Sequence, residues 1–285
     1  MDIESWYSKG KTFVSGDTSI FYVREGKGTP LVCIHGFPTS SWDFAPILPE
    51  LSPRFDCIVP DLVGLGVSKA PLKKDIIMSQ TNAIEVLVEA LGISEAHIFA
   101  HDVGDTVVQE LLARKLENKS KITWLSSVFM NGGMFPEANT PRPIQKLLAS
   151  FLGPLLGRFL SAKTFDKTMH DIFSKANPPS KEFLDSSWNL LENNEGRIMI
   201  PLILSYLNER KTYLKRWRAP IENPQIPMAM INGIEDPISG NKTALFFQKL
   251  QPKSHTFFLK NSGHYPHIET PKEVLKAFFK FHKSL

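Results

Sequence analysis

The chain has 285 residues, of which 42% are hydrophobic and 22% charged, and a formal net charge of +4. That much apolar material excludes a disordered chain, and the length suits one large domain or a domain with an inserted subdomain. The charge is mild and both signs are mixed along most of the sequence, so nucleic acid is not an expected partner. No apolar run reaches membrane-spanning length, so no integral membrane segment is expected.

Taken in order, residues 11–15 and 19–24 are β-prone runs around Gly16-Asp17, a hairpin signal. Residues 30–34 form a continuous apolar run of buried-strand type, followed by His35-Gly36-Phe37-Pro38 and an apolar-periodic helix from Ser40 to about Leu51. Residues 55–59 are the next strand, closed by Pro60-Asp61 and a turn through Gly64, Gly66 and Ser68. A helix is expected over about 79–91. A short strand then ends at Ala100, passes through His101-Asp102-Val103-Gly104 and enters a helix marked by Val107, Val108, Leu111 and Leu112. Residues 122–130 are a strand ending at Asn131-Gly132-Gly133.

From 134 to 222 the rhythm changes. No buried-strand run appears, and several helices broken by Gly and Pro are expected. The segment is too long for a loop and reads as an inserted helical cap. The alternation returns with a strand over 227–231, a helix over 243–250, a strand over 255–259 and a last helix over about 271–283. The pattern predicts an α/β fold: a mostly parallel eight-stranded sheet with helices on both faces. The core would be residues 1–133 and 223–285, and the cap domain residues 134–222. Ligands in such sheets bind beyond the carboxyl ends of the strands, where His35, Asp61, Asp102 and Asn131 fall.

Ala100 and Gly104 are small residues two places before and after Asp102, as a nucleophile elbow requires, because a larger side chain would collide there. A carboxylate on that apex can attack a saturated carbon and leave an alkyl ester on the enzyme. The alternative is an Asp that caps the following helix. Hydrolysis of such an ester needs a base for water, and histidine has the right pKa. His264, after the last strand and preceded by Gly263, is the first candidate. His267 is the second, and a structural loop histidine is the alternative. Asp236, after the preceding strand and before Pro237, is placed to orient His264; Glu137 is the second candidate acid. The oxyanion formed during hydrolysis needs backbone donors, expected from Val103 and Phe37. His35 is read as holding its loop in shape. Cys33 and Cys57 lie in apolar runs without metal-ligand spacing and read as reduced core residues. No cofactor and no metal are expected. The first residues carry no secretion pattern, so a cytoplasmic protein acting on a small molecule, monomeric or homodimeric, is the expectation.

These motifs together resemble the α/β-hydrolase superfamily, in the branch with an Asp nucleophile that holds epoxide hydrolases and haloalkane dehalogenases. The resemblance rests on His35-Gly36-Phe37-Pro38, Asp61 with Gly64, Gly66 and Ser68, the elbow, Asp236-Pro237 and Gly263-His264. A closer resemblance is to the mesoderm-specific transcript proteins of animals. It is carried by His101-Asp102-Val103-Gly104-Asp105 with Gln109-Glu110-Leu111-Leu112, by residues 131–137, by Glu209-Arg210-Lys211 with Arg216-Trp217, and by His264-Tyr265-Pro266. That subgroup is described only as hydrolases of undefined substrate.

The resemblance implies covalent catalysis by Asp102, with epoxide opening favoured over dehalogenation. Dehalogenases typically carry Trp after the nucleophile as a halide donor, and this chain has Val103, which has none. Epoxide hydrolases typically use two cap tyrosines; here only Tyr206 and Tyr213 are available. Trp188 and Trp217 are the remaining candidates for a donor reaching the substrate, and packing is the alternative for all four. Where the branch usually has Gly, this chain has Asp105. A fold-retaining binding or signalling protein is the competing reading, and ordinary esterase activity ranks below both. The apolar run over 147–156 reads as cap core, with an alkyl pocket or a membrane surface as the alternatives. The basic run over 210–218 reads as a solvated helix face, with an anionic substrate or surface as the alternative.

Overall fold

The computed structural model describes residues 1–72 and 75–285. The strands are β1 (Lys11–Ser15), β2 (Thr18–Glu25), β3 (Thr29–Ile34), β4 (Phe55–Pro60), β5 (Glu95–Ala100), β6 (Thr123–Phe129), β7 (Met228–Gly233) and β8 (His255–Leu259). They form one eight-stranded sheet in the order β1-β2-β4-β3-β5-β6-β7-β8. β2 runs antiparallel to both β1 and β4, and the other neighbouring pairs are parallel.

The apolar runs at the centre of the sheet follow from burial on both faces. Leu31 to Ile34 on β3 and Ile58 and Val59 on β4 have no exposed surface. Helices Ile76–Ala90, Val103–Leu116 and Pro271–His282 supply the cover. An aromatic ladder joins the last of these to the sheet: Phe278 stacks on Phe99 at 4.9 Å, and Phe99 meets Phe44 edge-on at 5.6 Å. Each such ring contributes about 1.5–3 kcal/mol by leaving water.

Two elements differ from the sequence reading. The helix expected from Ser40 to Leu51 is instead a 3-10 turn, Ser41–Phe44, and a single helical turn, Leu48–Leu51. Pro46 and Pro49 lack the N–H groups that a continuous helix needs. The unexpected helix Ile3–Lys9 is capped by Asp2 Oδ1, which accepts from the Ser5 N–H at 2.8 Å, and buries Trp6 against Ser41. Between β6 and β7 the chain forms seven helices, from Pro143 to Glu222. Among the described residues no helix is long and apolar enough to cross a membrane.

Candidate active site

β5 ends at Ala100, and the chain bends through Asp102 at φ 49°, ψ −109° before helix Val103–Leu116 begins. A non-glycine residue in that region costs on the order of 1–3 kcal/mol and persists only where its surroundings over-determine it. Here they do. The His101 N–H donates to Ile34 O at 2.9 Å and the Asp102 N–H to Met130 O at 3.0 Å, so the ends of two neighbouring strands clamp the bend. A Cβ on Gly104 would lie 2.5 Å from Ile34 O, and one on Gly36 would lie 2.8 Å from Asp102 Cβ. Both positions therefore need glycine.

Asp102 sits at the N-terminus of its helix but makes no capping hydrogen bond. Its Oδ2 instead accepts the Phe37 N–H at 3.0 Å. The Val103 N–H is the first of the helix and has no acceptor within it. His35 fixes the loop that presents Phe37: its Nδ1–H donates to Gly36 O at 2.7 Å, and its Nε2 accepts from the Leu62 N–H at 2.8 Å. Burial lowers the His35 pKa to about 4, which keeps this tautomer neutral.

Asp105 is fully buried, and room for it comes from Gly132, where a Cβ would stand 2.3 Å from Asp105 Oδ2. The carboxyl group accepts the Met130 N–H through Oδ2 at 3.0 Å. Burial pushes its pKa well above the ordinary range. The Asp that departs from the family pattern is thus matched by a glycine on the next strand end, and the elbow keeps its bend.

His264 is held from four directions. Its N–H donates to Ile172 O at 2.9 Å, and its carbonyl accepts the Nε2–H of His101 at 2.7 Å. Glu269 grips the loop on both sides, accepting the Gly263 N–H at 2.8 Å and the Tyr265 N–H at 2.9 Å. The ring Nδ1 meets Asp236 Oδ2 at 2.8 Å, and Nε2 stands 3.9 Å from Asp102 Oδ1. The first distance is a hydrogen bond; the second is a gap that one small atom can bridge. Burial alone would lower the His264 pKa, but the charge of Asp236, its hydrogen bond and the charge of Asp102 push it up to about 9. Burial likewise works against the Asp236 anion, yet His264, Asn131 and the Ile238 N–H hold its pKa below the usual value.

Asn131 and Ser239 support Asp236, and sequence reading assigned neither a role. Asn131 Nδ2 donates to Asp236 Oδ2 at 2.8 Å and Ser239 Oγ donates to the same oxygen at 2.7 Å. The signal available was the position of Asn131 at a strand end, and its left-handed φ of 48° marks the same place. The other candidate acid, Glu137, is exposed and paired with Arg218 at 2.6 Å. His267 is buried behind the elbow, 4.6 Å from the His101 ring, and burial lowers its pKa to about 3.

A cavity of about 80 Å³ lies between the sheet and the inserted helices. Its lining includes Phe37, His264, Ile172, Trp188, Ile200 and Leu204. The aromatic candidates do not converge on it. Trp188 reaches the wall, but its Nε1–H donates to Glu192 at 3.0 Å. Trp217 Nε1–H donates to Glu110 at 2.9 Å, against the helix behind the elbow. The Tyr213 hydroxyl donates to Asp75 at 3.3 Å. Tyr206 is buried under the Arg210 guanidinium, 4.4 Å from its ring. Its phenol pKa is raised by burial, against Arg210 and with the charge of Asp102. Tyr206, Tyr213 and Trp217 thus lie outside the cavity wall. Helical spacing shows which residues share a face but not which acid captures a donor.

Cys33 and Cys57 are free and buried. Among the described residues, one group has the types and spacing to hold a cation: Asp43, His101 and His267, with one ligand atom each within 4.8 Å of the others. It is of the carboxylate-and-imidazole kind that zinc-like ions take. The group sits behind the elbow, and none of its members is part of the cavity wall.

A doubly covered parallel sheet, a strained acidic bend after its fifth strand, and an Asp–His pair on the loops after its last two strands define an α/β-hydrolase arrangement. The chain belongs to the alpha/beta hydrolase fold family, whose model matches residues 29–271. It is 34% identical to the mesoderm-specific transcript protein of Mus musculus, over 98% of this chain and 87% of that protein. Haloalkane dehalogenase DbeA from Bradyrhizobium elkani USDA94 superposes with a TM-score of 0.79 at 18% identity, covering 97% of this chain and 99% of that one. Epoxide hydrolase CorEH superposes with a TM-score of 0.78 at 18% identity, covering 96% and 98%.

Proposed function

We propose that the chain is a hydrolase that forms a covalent alkyl ester on Asp102, and that its substrate is an epoxide on a small or medium apolar skeleton. In the first step Asp102 Oδ1 bonds to a ring carbon of the epoxide, the carbon–oxygen bond breaks, and the departing oxygen takes a proton from solvent water. In the second, His264 Nε2 takes a proton from water while that water adds to Cγ of Asp102. The negative charge gathers on Oδ2, where the Phe37 N–H already donates, and the Val103 N–H is the second donor. Cleavage of the bond between Cγ and the alkyl oxygen, with the proton on His264 passing to that oxygen, releases the diol, and loss of the carboxyl proton to solvent restores the carboxylate. Residues 134–222 act as the cap over a core of residues 1–133 and 223–285.

The observation that carries this reading is the division of labour at one carboxylate: Oδ2 on the Phe37 N–H, Oδ1 facing His264, and His264 backed by Asp236. The electrostatics support the order of steps. With Asp102 ionised, His264 has a pKa of about 9 and carries a proton at neutral pH. Esterification removes the Asp102 charge, one of the causes of that rise, so the imidazole becomes a base when a base is needed. An open cavity reaching His264 supports turnover over a ligand-holding role.

Dehalogenation is the second reading, supported by the fold likeness to DbeA. It is disfavoured because Val103 offers no side-chain donor and the indoles of Trp188 and Trp217 are held by Glu192 and Glu110. The tyrosine pair typical of epoxide opening is not assembled either, and Tyr206 is the remaining candidate donor. The test is His264→Gln incubated with matched panels of epoxides and haloalkanes, followed by mass analysis. Adducts on the Asp102 peptide from epoxides are expected. Adducts from haloalkanes alone would transfer the assignment to halide chemistry, and none from either panel would end it.

A further inference from the structure

Most of the large apolar side chains that the fold leaves in water lie on one part of the insertion. Phe151 is 91% exposed, Phe159 76%, Ile198 63% and Leu155 57%, with Leu147 and Leu202 beside them. They belong to two segments, 143–159 and helix Gly196–Leu204, that pack side by side. Gly153 and Gly157 allow the close approach: a Cβ on Gly153 would meet Pro201 at 3.1 Å, and one on Gly157 would meet Arg197 O at 2.3 Å. The other side of the same pair, Ile144, Leu148, Ile200 and Leu204, lines the cavity that reaches His264. A soluble surface rarely leaves so many large apolar groups together without a partner.

Charge indicates which partner. Between Glu137 and Asp166 the sequence has no acidic residue but holds Arg142, Lys146, Arg158 and Lys163. Lys146, Arg158 and Lys163 are exposed around the apolar face. On the other side of the patch Glu192 is paired with Arg197 and Glu195 is exposed, which among the described residues leaves Lys146, Arg158 and Lys163 against one unpaired acid. Apolar side chains inside a net positive rim match the interface of a bilayer carrying anionic lipid. They do not suit a second copy of the chain, because a two-fold contact would set these like charges against one another.

We propose that this face of the insertion docks on anionic phospholipid membranes, seating Phe151, Leu155 and Phe159 at the acyl boundary with the cavity mouth beside them. The docking does not depend on the chemistry at Asp102. The test is vesicle flotation of the full chain, with vesicles of phosphatidylcholine alone and of equal parts phosphatidylcholine and phosphatidylglycerol. The protein should float with the mixed vesicles, and less so with phosphatidylcholine alone or at high salt. Phe151→Glu with Phe159→Glu should lower the partition coefficient at least about tenfold, since two buried rings are exchanged for charges, with an unchanged melting temperature. Lys146→Glu with Lys163→Glu should remove the preference for phosphatidylglycerol. Failure of the wild type to float with either vesicle would overturn the proposal. So would equal flotation of the phenylalanine double variant. A dimer in sedimentation velocity that the same double variant dissolves, without vesicle binding, would assign the face to a second copy instead.

Discussion

The carboxyl edge of the sheet and the helices inserted above it were both expected to supply the site, and they differ in how their polar groups are committed. At the sheet edge, polar groups from several loops converge on one another: Phe37 on Asp102, Asn131 and Ser239 on Asp236, His101 and Glu269 on the loop of His264. In the insertion, the indole donors are committed away from the reacting groups, Trp217 to buried Glu110 on the helix behind the elbow and Trp188 to Glu192 one turn further along its own helix. The edge resembles a preorganised catalytic constellation, while the insertion supplies shape and apolar surface.

Perturbing the two regions should break or sharpen that contrast. Asp102→Ala should lower turnover by at least about 10⁴-fold, the scale on which removal of a covalent nucleophile acts. Steady-state kinetics on the best epoxide would check it, and a loss under tenfold would move the chemistry elsewhere. Asn131→Ala leaves Asp236 one donor short. A hydrogen bond to a charged group contributes about 1.5–3 kcal/mol, so kcat should fall roughly ten- to a hundredfold. An unchanged kcat would mean that Ser239 and the Ile238 N–H hold Asp236 without it.

The pH dependence has a definite sign. The pKa of His264 is raised on folding, from an ordinary 6.5 to about 9. Its contribution to stability is therefore fully present below about 6.5 and is lost as pH rises through about 9. Melting temperatures should show this decline in the wild type and a flatter profile over that range in His264→Gln. The proposed mechanism gives hydrolysis of an ester intermediate the opposite dependence, because it requires neutral imidazole. Single-turnover rates should rise with pH by about tenfold per unit, up to the pKa of His264 in that state. A flat profile would remove His264 as the base.

The smallest effect belongs to the insertion. Trp217→Phe and Tyr213→Phe should change kcat/KM less than about twofold, since neither side chain lines the cavity. Trp217→Phe should still cost about 1 kcal/mol of stability through the lost bond to Glu110, read by denaturant unfolding. A large kinetic loss in either variant would show that the insertion closes over the site during turnover.

The same contrast explains what was legible in the sequence. The strand runs, the hairpin, the helical insertion and the chain order of Asp102, Asp236 and His264 were readable because backbone sterics dictate them: small residues around a bend, apolar runs between turns, loop residues after strands. The break at Pro46 and Pro49 lies in missing N–H groups, which apolar spacing does not show. The supports of Asp236 and His264 were not readable: Asn131 reaches Asp236 across 105 residues of sequence, while Ser239 and Glu269, 3 and 6 residues from their partners, act through loop bends that spacing alone does not show. Asp105 departed from the family pattern in isolation, and only the adjacency of Gly132 in space shows how it is accommodated.

The most direct test follows the oxygen atom. In a single turnover of an epoxide in water enriched in oxygen-18, with enzyme in excess, attack on the ester at Cγ places the label in the carboxyl group of Asp102 and leaves the first diol unlabelled. Labelled diol with an unlabelled Asp102 peptide would mean that water attacks the substrate itself, and would contradict covalent catalysis at this bend.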